Sequence, residues 1–109
     1  MHELALTQSV VDTIAERMDG ATITGVMLEI GKLSGVVPDA MRFCFDVVCA
    51  GTTLEGARLD ISEPAGRARC EDCGDEFDLD YPILLCPCGS ANITVLAGQQ
   101  LKITSVEVL

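Results

Sequence analysis

The apolar residues of this chain change period several times along its length, and each change marks an element. From Leu4 to Met18 they recur at three- and four-residue spacing. Val10, Val11, Ile14, Ala15 and Met18 share a face, Leu4 and Leu6 flank it, and Asp12, Glu16 and Asp19 gather opposite. This predicts an amphipathic helix that begins almost at the first residue and stops at Gly20. Thr22 to Leu33 alternates instead, with Val26, Leu28 and Ile30 on one side and Met27 and Glu29 on the other, which predicts a strand. Gly31 to Gly35 reads as a loop. Pro38 suits the first position of a second helix, and Asp39 suits the positive end of its dipole. Met41, Phe43, Cys44, Phe45, Val47 and Val48 make that helix apolar around most of its circumference. It is therefore expected to be largely buried and to end at Gly51, with Cys44 and Cys49 packed as small hydrophobes.

Alternation returns at Gly56 to Glu63, where Ala57, Leu59 and Ile61 face the core and Arg58, Asp60 and Ser62 face water. Pro64-Ala65-Gly66 breaks the strand. Gln99 to Leu109 reads as a last strand. Leu101 and Ile103 hold one phase and Val106 and Val108 the other, so a β-bulge is expected near Thr104-Ser105. The expected fold class is α+β. A small mixed or antiparallel three-stranded sheet with two helices takes residues 1–63 and 96–109, and a zinc-ribbon-like domain, residues 64–95, is inserted before the final strand.

The inserted stretch carries the clearest chemistry. Cys70-Glu71-Asp72-Cys73-Gly74 is followed, after a spacer, by Cys86-Pro87-Cys88-Gly89. Sulfurs that converge on one ion need sharp backbone turns, and glycine after the second cysteine of each pair allows the positive φ of such a turn. It also lets backbone N–H groups face the sulfurs. Four thiolates suit tetrahedral Zn²⁺, and two close cysteine pairs are a strong zinc signal. The second pair has one intervening residue instead of two, which tightens its turn. Two disulfides would need an oxidising compartment that nothing here indicates, and a thioredoxin-type redox pair would need a βαβ context that is missing. A site with four protein ligands holds structure and leaves no position for hydrolysis. Phe77, Leu79, Tyr81, Ile83, Leu84 and Leu85 are available to cover it.

With 109 residues the chain allows one compact domain or one domain with a metal-held appendage. The formal net charge of −10, the lack of tryptophan and the single tyrosine argue against nucleic-acid binding, which needs a basic footprint and stacking platforms. An acidic surface suits partners with basic patches, or cations. Neither a signal peptide nor an apolar run long enough for a membrane span is evident. Six cysteines without a secretory signal suggest a reducing, cytoplasmic setting.

His2 is the only histidine. A terminal amine, the following amide nitrogen and an imidazole at position two can chelate one ion through fused rings, and several coplanar nitrogens favour Ni²⁺ or Cu²⁺. Met1 should stay on the chain, because its removal requires a small second residue. Glu3 adds a carboxylate and another amide. The competing reading is a frayed terminus with an incidental histidine.

Several motifs occur together in this order: Met1-His2-Glu3 before an amphipathic helix, Pro38 with Phe43-Cys44-Phe45, Glu55-Gly56-Ala57-Arg58-Leu59, the two cysteine pairs, Cys88-Gly89-Ser90, and Ile103-Thr104-Ser105-Val106-Glu107. In this combination the whole chain resembles the HypA/HybF family of hydrogenase nickel-incorporation proteins. The resemblance implies an α/β nickel-binding domain with an inserted zinc domain. It also implies a metallochaperone, not an enzyme, that helps deliver Ni²⁺ to the large subunit of [NiFe]-hydrogenase and in some organisms to urease. The partner it implies is the maturation GTPase HypB. It assigns nickel to His2, with the Met1 amine and Glu3 as neighbours, and zinc to Cys70, Cys73, Cys86 and Cys88. The common family form of the second pair is Cys-Pro-x-Cys-Gly, one residue longer than here. Two other functions stand beside this one. One is a zinc-ribbon protein-binding adaptor without nickel transfer. The other is a thiol oxidoreductase, which would need an exposed cysteine of low pKa.

Overall fold

In the computed structural model, which describes residues 2–80 and 83–109, the first amphipathic pattern forms helix α1 (His2–Met18). Its buried face is Thr7, Val10, Val11 and Ile14, while Leu4 is exposed. Thr7 holds the place on the core face expected of Leu4. It lies three and four residues before Val10 and Val11, and its hydroxyl is satisfied within the structure, donating to the Glu3 carbonyl (2.6 Å) and lying 3.1 Å from the Met41 sulfur. The helix ends through Asp19 and Gly20, both at positive φ.

The chain divides into two compact units. One takes residues 1–28, 36–61 and 102–109, the other residues 29–35 and 62–101. Strand β1 (Ile23–Ile30), most of which lies in the first unit, is the middle of a sheet ordered β2-β1-β6, with β2 at Arg58–Ser62 and β6 at Leu101–Val108. Residues 26, 28 and 30 are buried, matching the alternation in the sequence, while Ile23 and Gly25, in the other phase, are buried as well. The Leu109 N–H donates to the Thr22 carbonyl and the Gly31 N–H to the Gln100 carbonyl, so β6 runs antiparallel to β1. On the other side Ile23 N–H meets the Thr53 carbonyl and Lys32 N–H the Pro64 carbonyl, so β2 advances with β1 and the sheet is mixed. Along β6 the alternation slips at Thr104 and Ser105, two consecutive exposed residues.

Helix α2 (Pro38–Cys49) departs from expectation. Met41, Cys44, Phe45 and Cys49 are buried, but Phe43 is 71% and Val47 59% exposed. An apolar circumference states what a helix can bury, not how many partners it has. α1 packs against α2 along one stripe, and Phe43 and Val47, four residues apart, lie on the opposite side.

The second unit holds a three-stranded antiparallel sheet, β4-β3-β5, from Glu76–Leu79, Gly66–Cys70 and Ile93–Ala97. The segment after Cys88 does not merely lead out, because Ile93 to Ala97 returns to pair with β3, Cys70 opposite Ile93 and Ala68 opposite Val95. Phe77 and Leu79 are half-buried, but Ile83, Leu84 and Leu85 are exposed and do not cover the cysteines. Tyr81 lies outside the described residues. Gly66 faces Leu33 and the Leu79 carbonyl so closely that a Cβ there would overlap both, and Gly98, at φ +104°, sits against Gly66.

Two aromatic truncations on α2 should separate sharply. Phe45→Ala empties a buried site and should cost about 3–5 kcal/mol in urea unfolding. Phe43→Ala, two residues earlier on the outer face, should change stability by less than about 0.5 kcal/mol. Equal losses would mean that α2 is buried all round.

Candidate metal centre

Each cysteine pair lies in a turn closed by three backbone bonds. In the first, Cys70 N–H donates to the Asp75 carbonyl (2.9 Å), Gly74 N–H to the Cys70 carbonyl (2.9 Å), and Cys73 N–H to the Cys70 sulfur (3.4 Å). In the second, Cys86 N–H donates to the Ser90 carbonyl (2.8 Å), Gly89 N–H to the Cys86 carbonyl (2.8 Å), and Cys88 N–H to the Cys86 sulfur (3.4 Å). Every bond of the first turn thus recurs in the second with one residue fewer. The short Cys86-Pro87-Cys88 spacing keeps the knuckle. Gly74 and Gly89, at φ +81° and +97°, make the reversals.

The knuckles bring Cys70, Cys73, Cys86 and Cys88 together, with all four sulfurs within 4.8 Å of one another. Cys70 and Cys88 are 3.8 Å apart and Cys73 and Cys86 3.6 Å. Disulfide sulfurs would be about 2.05 Å apart. A tetrahedral ion with Zn–S bonds of about 2.3 Å sets its sulfurs about 3.8 Å apart, so the spacing and the four-thiol donor set both fit Zn²⁺.

The sulfurs divide unequally. Cys70 and Cys86 are buried, and Cys73 and Cys88 are exposed. The N–H of Cys73, joined by that of Asp72, holds the Cys70 thiol down to about 7 against the effect of burial. Cys86 accepts the Cys88 N–H, but burial and the three neighbouring sulfurs outweigh it and push its thiol up to about 12. A cation at the centre relieves that crowding by replacing protons with shared positive charge. Cys44 and Cys49 stand apart from the cluster, buried in α2, and burial followed by the nearby Asp46 pushes the Cys49 thiol up to about 11. The low-pKa exposed thiol that an oxidoreductase needs is absent from that pair.

Three side chains overlooked in the sequence tie the knuckles together. Asp72, between the first two cysteines, accepts a hydrogen bond from the Ser90 hydroxyl and another from the Asn92 amide (3.3 Å). The only hint was their position, Asp72 inside the first pair and Ser90 directly after Gly89.

At the other end of the chain, His2 is exposed at the first residue of α1. Met1 lies outside the described residues. The Glu3 carboxylate is turned toward α2, where it accepts the N–H of Val37 (3.2 Å), the N-cap residue, which lacks a side-chain cap of its own. That bond, the Glu3 amide, His2 and the chain terminus hold the Glu3 carboxyl below its ordinary range.

Fold and site together define a small α+β protein with a zinc-ribbon-like unit built on four convergent thiols. Residues 1–108 match the family described as hydrogenase/urease nickel incorporation, metallochaperone, hypA, and the chain belongs to that family. It is 48% identical over 108 residues to the hydrogenase maturation factor HypA of Nostoc punctiforme, covering 99% of this chain and 96% of the relative. To the factor of the same name from Geotalea uraniireducens it is 46% identical over 109 residues, covering 99% of each. The fold resembles the solution structure of the Ni metallochaperone HypA from Helicobacter pylori, with a TM-score of 0.65 at 21% identity over 98% of this chain and 97% of that one.

The Glu3 contact has a pH signature. A carboxyl with a lowered folded-state pKa stabilises above its unfolded value, near 4.5, and loses that contribution as pH falls through the folded value. Glu3→Ala should therefore lower the melting temperature at pH 7, and the gap to the parent should close on acidification below pH 4.5. Melting curves across that range check it. A gap that persisted at acid pH would trace the loss to packing and not to charge.

Proposed function

We propose that this protein is a nickel metallochaperone that binds Ni²⁺ at its N-terminus and delivers it, with a HypB-type maturation GTPase, to the large subunit of [NiFe]-hydrogenase. The observation that carries the reading is the family match across residues 1–108, which spans both His2 and the four cysteines. In some organisms urease maturation proteins would be the recipients. The protein acts in the cytoplasm by binding and hand-over and catalyses nothing.

Nickel is the cargo. In a chain beginning at Met1, the terminal amine, the His2 amide and imidazole and the Glu3 amide offer nitrogens within one chelate. His2 and Glu3 lie in the first turn of α1, where N–H groups have no carbonyl four residues back, so helix formation leaves the His2 amide available, while the Glu3 amide supports its own carboxylate. The Glu3 carboxylate is engaged at Val37, which suits a supporting role over direct ligation. Zinc is structural, held by Cys70, Cys73, Cys86 and Cys88. The nickel-binding domain is then residues 1–63 and 96–109, and residues 64–95 form the zinc domain.

The charge supports a basic partner face. Acidic residues outnumber basic ones 17 to 7. Lys32, Arg42, Arg58, Arg67 and Arg69 are already paired with acidic neighbours, so the outward field is negative.

Two measurements test the reading. Untagged protein should take up Ni²⁺ near 1:1, and His2→Ala should abolish tight binding while zinc content stays intact. One extra N-terminal residue should be nearly as damaging, because it moves the amine out of the chelate. Undiminished nickel affinity in the extended protein would overturn the chelate, and no second metal at all would leave a zinc-ribbon adaptor. Purified protein should also hold one Zn²⁺ per chain, and Cys86→Ser should loosen the zinc domain, because metal binding there is part of folding. Protein free of zinc would refute the four-thiolate assignment.

A further inference from the structure

Nothing within either cysteine knuckle fixes its distance from the other. Each turn closes on itself, and the two lie far apart in sequence. Apart from the sulfur pairs, the Cys70–Ile93 strand pairing and the Thr94–Glu71 bond, the bonds that cross between them converge on three residues. Asp72 is the non-ligating residue inside the first pair. Its Oδ2 accepts from the Ser90 hydroxyl and its Oδ1 from the Asn92 side-chain amide (3.3 Å). The same Ser90 oxygen accepts the backbone N–H of Asn92 (3.0 Å), which closes a ring through three residues. The backbones of these residues also serve the knuckles, since the Ser90 carbonyl takes the Cys86 N–H and the Asn92 carbonyl takes the Glu71 N–H.

We propose that Asp72, Ser90 and Asn92 are the positioning residues of the four-cysteine centre, a clamp that sets the two knuckles at the sulfur spacing an ion requires. The inference rests on the zinc assignment above.

The placement of a carboxylate here supports it. Four thiolates with one divalent cation carry a net charge of about −2, so a further anion between two ligands is electrostatically unwelcome unless its position is worth more than its charge costs. Asp72 meets that condition, because the donors of Ser90 and Asn92 occupy both of its oxygens. The second knuckle makes the need concrete. With one residue fewer, Cys86 to Ser90 has less slack for adjusting Cys86 and Cys88 around an ion, so the spacing must come from outside the turn. Ser90 is the last residue of that turn and the first that reaches across.

The test uses the full chain and two probe metals. Zinc affinity is measured by competition with a chromophoric chelator, and Co²⁺ loading is followed through its thiolate charge-transfer and d–d bands. Ser90→Ala and Asp72→Asn should each weaken zinc about 10- to 100-fold, the range for residues that support metal ligands, and should shift the Co²⁺ bands. The double variant should lose little more than either single one, since both break one ring. Ser90→Thr keeps the hydroxyl and should restore affinity and spectrum. Glu76→Gln removes a nearby exposed charge on β4 that lies outside the ring and outside both knuckles, and should leave both near the parent values.

Equal losses in Asp72→Asn and Glu76→Gln, with Ser90→Ala unchanged, would overturn the clamp in favour of a charge effect. Parent-like affinity and spectra in both Ser90→Ala and Asp72→Asn would overturn it outright. The two readings can fail separately. A parent protein that binds neither metal removes the zinc assignment and the clamp together, whereas a parent that binds both beside unchanged variants removes the clamp alone.

Discussion

Gathering four sulfurs within 4.8 Å is the demand around which the second unit is organised. Thiolates so close repel one another, and the chain offsets this with the means available to backbone. N–H groups of Cys73 and Cys88 point at the buried sulfurs. Gly74 and Gly89 turn through positive φ so that those N–H groups can face inward. β3 delivers Cys70 at its end, paired with Ile93 of β5, so one cysteine is anchored to regular structure. Among the described residues the unit buries few other apolar side chains: Ile30, Leu33 and Ala68 beside Cys70 and Cys86. An apolar core of that size does not hold a fold alone, and a sulfur-bound ion is a common substitute in small units.

In the first unit the corresponding constraint lies at the start of the chain. Thr7 reaches Met41 and Glu3 reaches Val37, so the first turns of α1 are bonded to α2. Chain ends fray unless tied down, and these two contacts restrain the turns that follow His2. The Glu3 contact also explains how α2 begins without a side-chain cap of its own, with a carboxylate from another helix at its positive end.

What could be read from the sequence divides along physical lines. Period-two and helical patterns depend on which residues one face buries, so β1, the core of α1 and the start of α2 at Pro38 were visible. Cysteine spacing, with the glycines behind it, announced the four-thiol cluster. The sequence was least informative where the outcome depends on a partner. Phe43 and Val47 are as apolar as Phe45, and only the placement of α1 decides which are covered. Ile83, Leu84 and Leu85 read as a lid but are exposed, because the knuckles close on their own backbones. Thr7 looked polar and is wholly buried, since a hydroxyl that finds partners costs little inside. The Asp72 ring was hidden for a similar reason, because cross-loop hydrogen bonds leave no periodic trace.

The two donor sets suit different tasks. Four sulfurs filling a tetrahedron leave no position open to solvent or to an incoming ligand, and two of them are buried. An ion held that way exchanges slowly, which suits a structural role. Cargo needs the opposite, a site strong enough to load yet reachable by the receiving protein. On the proposed reading that site is built on His2, which is exposed at the start of α1. Its nitrogens must shed protons to bind, so affinity is adjustable by modest local changes. On that reading, firmness behind the site would come from the Glu3 contact with α2.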